Sequence, residues 1–304
     1  MISASTDRHR RPSPARVRIK RAAAALGILA GLRQGRDRLR AAAAWRRNAP
    51  LRRAGAPDGL PLPPTRMILA VTGTTDIAWF LDSGARAAAG LQAALIRCGA
   101  SLDRARRVLD FGCGCGRVLR HFKDLPAELH GADFNPRLIR WCRRHLRFAR
   151  CVHNLLSPPL PYPDGRFDLV YALSVFTHLP ETLQRPWIAE LHRVLETGGH
   201  LILSVHGRGC LLDLTAAQRE RFEAGAPVFK SDLPGTNASG AYHPGGLSAT
   251  ADRALFRPDR LPTSGRQRQP QPGPLHPQKA LILRPWTESR GRSEFSLKRA
   301  LAGD

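Results

Sequence analysis

Residues 108–122 read VLDFGCGCGRVLRHF: Asp110 closes an apolar run, and Gly112, Gly114 and Gly116 follow at every second position. In a strand–turn–helix unit, glycines so placed let the main chain pass close to a ligand, and the N–H groups at the helix start face it. The acid beside the turn suits a ligand that carries positive charge. Spacing then weighs against two ligand classes. A phosphate-cradling G-x-x-x-x-G-K-[ST] turn needs Lys and a hydroxyl residue after its last glycine, where Arg117 and Val118 stand, so ATP or GTP is disfavoured. A dinucleotide G-x-G-x-x-G counted from Gly112 needs glycine at position 117, which weakens NAD.

Other residues offer complementary chemistry. Asp133 ends the next apolar run, seventeen residues past Gly116, where an acid can accept hydrogen bonds from ribose hydroxyls; it could equally cap a helix that starts near Pro136. Asn154 ends the run after that, and its amide both donates and accepts, although Asn is also a turn residue. His178 in FTHLPE has a side chain that titrates near neutrality and so could serve as a general base, or could simply pack or cap the helix behind it. Cys113 and Cys115 make a C-x-C pair with no third ligand nearby in sequence, so no metal is expected and both read as small fillers.

These residues need a frame. Between about 58 and 245, short β-rich runs alternate with helix-period segments, the pattern of an α/β domain with a mostly parallel sheet. The strand candidates are 107–111, 128–133, 149–154, 167–173 and 200–206. PRLIRWCRRHL and LQRPWIAELHRVLE read as helices, the second with Ile188, Leu191, Val194 and Leu195 on one apolar face. Gly198 and Gly199 are expected to end that helix through a left-handed cap.

With these elements in place, LDFGCGCGR resembles motif I of the class I S-adenosylmethionine-dependent methyltransferases. PLPYPDGRFDLVYALSVFTHLPE and AELHRVLETGGHLILSVHG look like that family's later strands and glycine-turned helix end. The likeness covers roughly 100–207 and implies a Rossmann-like, doubly wound sheet with helices on both faces. It implies that Asp110 seats the methionyl end of S-adenosyl-L-methionine, Asp133 the ribose and Phe134 the adenine face, while Asn154 reads the adenine amino group. By the same analogy the Cys113 main chain touches the cofactor, and Ser174 and Phe176 line the cleft near the transferred methyl. The [DNS]-P-P-[YFW] motif of amino-methylating enzymes is missing after the fourth strand, since SPPL at 157–160 precedes it, and no Pro-Cys pair for cytosine chemistry occurs. The resemblance thus points to a small-molecule or glycan-type hydroxyl, amine or carboxyl as acceptor. A catalytically silent cofactor-binding protein and an RNA-directed enzyme are the competing readings.

Composition frames the rest. A chain of 304 residues with 42% hydrophobic residues supports one sizeable core. The net charge of +24 hints at polyanionic partners, yet only five of the basic residues are Lys and the chain is rich in Ala, Gly and Pro, as GC-rich coding produces. Six cysteines without a C-x-x-C pair support neither structural zinc nor a secreted disulfide scaffold, so a reducing cytoplasm fits. The apolar run at 22–32 is followed by charged residues where a signal cleavage site should stand, and eleven residues do not span a bilayer. Residues 1–57 hold fifteen Arg or Lys against two Asp, forming a basic helical or partly disordered extension suited to an anionic membrane surface or to nucleic acid, or else loosely packed on the domain. Residues 246–304 are Pro- and Arg-rich and read as a low-order tail, as a shifted reading frame would produce, in which case the sheet lacks its last hairpin.

Overall fold

The computed structural model describes residues 28–206, 211, 214–230, 239–244 and 278–283. Local chemistry sets most of its helices. After α1 (Ile28–Ala43), α2 (Trp45–Ala54) and α3 (Thr65–Thr72) comes the longest, α4 (Ile77–Arg97). Asp76 caps α4 by accepting from Trp79 N at 3.1 Å, and Phe80, Ala88, Leu91, Ala94 and Leu95 recur at helical spacing on its buried side. Asn135 caps α5 (Pro136–His145) by accepting from Arg137 N, with Pro136 in the first turn, where its missing N–H costs nothing. Helix α6 (Glu181–Val194) buries Trp187, Leu191 and Val194, and α7 (Ala216–Glu223) begins with a capping box of Thr215 and Gln218.

Strands β1 (Arg107–Phe111), β2 (Glu128–Asp133), β3 (Ala149–His153), β4 (Phe167–Ala172) and β5 (Leu195–His206) are parallel and adjacent in the order β3-β2-β1-β4-β5. Beyond β5 lie β7 (Gly240–Tyr242), parallel to it, and β6 (Val228–Lys230), antiparallel to β7. One face of the sheet (Val108, Leu129, Leu169, Ile202) packs on α4 and α5, the other (Leu109, Ala132, Val170, Leu203) on α6. This is the doubly wound sheet that the sequence implies, and chain reversal lies between β1 and β4, where such sheets bind ligands.

Several expectations are corrected. Helix α6 stops at Val194, and Leu195 already belongs to β5; Gly198, at φ 84°, sits where β5 slips against β4, so the glycines shape an irregular strand start instead of a cap. No α-helix follows the glycine turn: between it and β2, which begins at Glu128, the regular element is a short 3-10 turn, Leu119–Phe122. Within the segment read as a low-order tail, β8 (Gln278–Leu283) pairs antiparallel with β5 from Leu201 to His206, so that edge of β5 is covered along this stretch. An apolar run in QKALIL favours a strand despite the Pro-rich surroundings. The reading-frame hypothesis, Cys210, residues 1–27 and the remainder of the tail lie outside the described residues.

Residues 28–57 are tied to α3, α4 and the loops around them. Asn48 on α2 is buried, donates to Thr75 O at 2.7 Å and accepts from Ile77 N at 3.2 Å. Arg52 donates to Pro63 O at 2.8 Å. Arg120, 1% exposed, makes a two-pronged ion pair with Asp58 and also donates to Leu60 O. Among the described residues no helix is long and apolar enough to cross a membrane.

Candidate active site

The glycine turn folds onto the tip of β2. Gly112 N and Cys113 N both donate to Ala132 O, at 2.7 and 3.1 Å, and Gly116 N donates to Cys113 O at 2.9 Å. Gly114 N donates to Asp133 Oδ2 at 2.9 Å. Four of the turn's N–H groups are therefore engaged inside the protein, contrary to the expectation that they face a ligand. The three glycines have φ of 79°, 57° and 79°, a region that side chains resist. The space a Cβ would need is also taken by the protein: Val175 at Gly112, Val71 of α3 at Gly114 (2.8 Å to Cγ2) and Leu146 at Gly116. Close approach of main chain to core side chains is thus one reason for glycine here.

Two carboxylates flank this turn. Asp110 is 3% exposed, and burial pushes its pKa up to about 8, although the Tyr171 hydroxyl and the Arg117 guanidinium pull it down. Arg117, which entered the sequence reading only as a missing glycine, is mostly buried and donates to Ser83 O at 3.0 Å. Asp133 is 7% exposed; besides Gly114 N it accepts from Asn135 N at 2.8 Å, and burial raises its pKa to about 6 against those two bonds. Asn135, not Asp133, caps α5. Each carboxylate oxygen of Asp133 keeps acceptor capacity for a further donor.

Asn154 lies beside Asp133, its N–H donating to Asp133 O at 3.2 Å. Its side-chain amide donates to Leu155 O at 2.7 Å, which leaves Oδ1 buried without a partner. An orphaned buried acceptor is costly unless a ligand donor completes it. Phe134 is half-buried at the tip of β2, its carbonyl 3.0 Å from His153 Nε2.

The loop after β4 completes the wall. Ser174 holds φ 63°, uncommon for a side-chain-bearing residue and typical of strained functional positions, with its N–H on Ser204 Oγ at 2.7 Å. Its neighbour Val175 touches the glycine turn, which joins this loop to Gly112. Phe176 does not line a cleft: it is fully buried, packed in the core on the α6 side. His178 Nδ1 lies 2.8 Å from Ser239 O, so Nδ1 carries the proton and Nε2 the lone pair. Burial lowers the pKa of His178, partly offset by that bond, which keeps the ring neutral near pH 7. Thr177, fully buried with Oγ1 unpartnered, and His243, with Nε2 unpartnered and pKa lowered to about 4 by burial, were both missed: in FTHLPE the titratable His178 drew the chemical reading away from Thr177, and His243 reaches this region only through the fold.

From sequence, the Cys113–Cys115 pair had no third ligand nearby. The fold brings Cys142 of α5 and Cys151 of β3 to it, with all three Sγ atoms within 4.8 Å of one another. Cys115 is buried apart from them, against Ile68, Phe80 and Leu138, and burial pushes its thiol up to about 12.

Known proteins share this arrangement of sequence. Residues 109–203 match the family described as a methyltransferase domain. A demethylmenaquinone methyltransferase from Tropheryma whipplei is 33% identical over 97 residues, which cover 32% of this chain and 40% of that protein. An ajmaline N-methyltransferase from Rauvolfia serpentina is 30% identical, covering 33% and 36%. A ubiquinone biosynthesis O-methyltransferase from Cereibacter sphaeroides is 31% identical, covering 34% and 42%. The chain therefore spans less than half the length of these curated relatives. With the strand-tip carboxylates and the glycine turn already in place, the matched segment is a class I S-adenosylmethionine-dependent methyltransferase domain.

Proposed function

We propose that the protein transfers a methyl group from S-adenosyl-L-methionine to a small-molecule acceptor. The observation that carries this is the pairing, at adjacent strand tips, of the Asp133 carboxylate, anchored by two main-chain N–H groups, with the partnerless Oδ1 of Asn154. One accepts from the ribose hydroxyls; the other is shaped for the adenine amino group, a donor. Asp110, held neutral near pH 7 by burial, gains from ionising beside the cationic methionyl end. Phe134 covers the adenine face. The residues fit the cofactor, which when bound supplies a methyl on an activated sulfonium.

The protein's own task is then to hold an acceptor in line and take its proton. His178 suits the second part: Ser239 O fixes the ring and leaves Nε2 basic. Ser174 sets the loop that carries it. The acceptor class is a hydroxyl, amine or carboxyl; the relatives' names span a quinone, an alkaloid and an acyl carrier protein, so the family does not choose among them.

Calorimetric titration with S-adenosyl-L-methionine tests the reading: saturable binding at one site per chain is expected, and no heat with this compound but saturation by NAD would overturn it. A screen of small-molecule acceptors with radiolabelled methyl donor identifies the acceptor.

A second reading concerns location. Leu39 and Trp45 are 73% and 68% exposed among Arg36, Arg40 and Arg46, a composition suited to an anionic membrane surface. Co-sedimentation with phosphatidylserine vesicles, lost in Trp45→Ala, is the expected outcome; equal sedimentation of the variant refutes it.

A further inference from the structure

We propose that Cys113, Cys142 and Cys151 form a three-sulfur site for a soft monovalent metal ion, Cu(I), beneath the glycine turn. The three residues come from separate elements, the turn after β1, α5 and β3, and are 4%, 0% and 5% exposed. Their Sγ atoms lie within 4.8 Å of one another. A second feature makes room for this. Gly131 in the middle of β2 faces the cluster, and a Cβ there would stand 2.9 Å from Cys113 Sγ and 3.2 Å from Cys151 Sγ. Glycine inside a strand weakens it, and here its missing side chain is what lets the two sulfurs meet. Cys142 closes the third side, its thiol 3.4 Å from Gly114 O.

The donor set selects the ion. Three thiolates without an oxygen donor exclude magnesium and calcium. Structural zinc takes four protein ligands, and among the described residues the group contains only three. Soft sulfur ligation with three donors suits Cu(I). On binding, each thiol gives up its proton and each sulfur donates a lone pair to copper; no electron is transferred, and three protons leave for solvent. Three thiolates and Cu(I) leave two net negative charges, and Arg143, whose Nε donates to Cys151 O at 2.7 Å, brings one positive charge alongside that offsets part of them. An ion there would tie the turn after β1 to β3 and α5. This site is independent of the methyl-transfer reading and is assayed without S-adenosyl-L-methionine.

The test is anaerobic titration of the reduced full chain with Cu(I), in competition with bicinchoninate, followed by X-ray absorption of the loaded protein. One copper per chain, coordinated by three sulfurs, is expected, together with a raised Tm. Cys142→Ser and Cys151→Ser should each lower affinity by at least about 100-fold, because even supporting contacts around a metal cost up to that much. Cys98→Ser should leave it unchanged. Gly131→Ala keeps every thiol while filling the space between them, and should also lose the copper. Surrender of all copper to the chelator by the wild type, undiminished affinity in the Cys142→Ser/Cys151→Ser double variant, or retention by a folded Gly131→Ala protein would each overturn the site.

Discussion

The tips of β1, β2 and β3 and the tips of β4, β5 and β7 are assembled by different means. In the first group the contacts run between neighbouring strand ends: Gly112 and Cys113 to Ala132, Gly114 to Asp133, Asn154 to Asp133. In the second group the ties reach far along the chain: His178 to Ser239, 61 residues away, Ala241 N to Thr177 O at 2.8 Å, and His243 N to His206 O at 2.9 Å. A region closed by adjacent parallel strands presents a nearly fixed set of groups to a ligand. A region closed by a returning segment changes with that segment. On the proposed reading, the first region would take the cofactor and the second the acceptor.

Four experiments break or sharpen this contrast. The largest effect is expected just behind the first region, at the Arg120–Asp58 pair that ties the 3-10 turn following the glycines to the segment before α3. Arg120→Met leaves a partly buried carboxylate without its partner, and chemical denaturation should show a loss of about 3–5 kcal/mol. If stability is unchanged, the turn is not held from that side.

Gly114→Val comes next. At φ 57° and with Val71 occupying the space, the new side chain strains the turn and dislodges Gly114 N from Asp133. Loss of S-adenosyl-L-methionine affinity by about 100-fold or more is expected by calorimetry, in a protein whose far-UV spectrum shows it folded. Undiminished affinity would sever the turn from cofactor binding.

His178→Asn separates the halves most directly. A base role predicts kcat reduced by about 100-fold with cofactor affinity unchanged. A shift in cofactor affinity with unaltered kcat would place His178 in the wrong half.

The mildest effect is a pH dependence. Asp110 has its pKa raised from 3.8 to about 8 by burial, so it is protonated at neutral pH. A cationic ligand favours the ionised form; binding therefore expels a proton, and affinity should climb at most about tenfold per pH unit towards pH 8, then level off. The same shift makes Asp110 a stability cost: its contribution is intact below 3.8, where both folded and unfolded forms are protonated, and is lost as pH rises through 8. Asp110→Asn should flatten the affinity profile, and a profile that stays steep in that variant would assign the proton to another group.

Much of the sheet was legible because strands announce themselves over five or six residues. RVLDF, ELHGAD and FDLVYAL align with β1, β2 and β4 to within a residue. The glycine turn and its two acids were legible for the same reason. Element ends were less so: Gly198 looked like a helix cap because cap and strand irregularity both exploit a positive φ, and only pairing with β4 distinguishes them. Phe176 looked like a cleft residue by analogy with the family, yet the turn after β4 carries it into the α6-side core.

What the amino-acid order determined by itself is the succession of strands, turns and capped helices, and with it an acid and glycines behind the first strand, since backbone preference and apolar period act over a few residues. Only the tertiary structure decided that Val71, Val175 and Leu146 fill the space above the glycines, that Asn154 keeps an unanswered acceptor, and that three cysteines meet around Gly131. Those contacts join residues tens of positions apart, and their distances follow from strand order and helix crossover, which no local stretch of chain encodes.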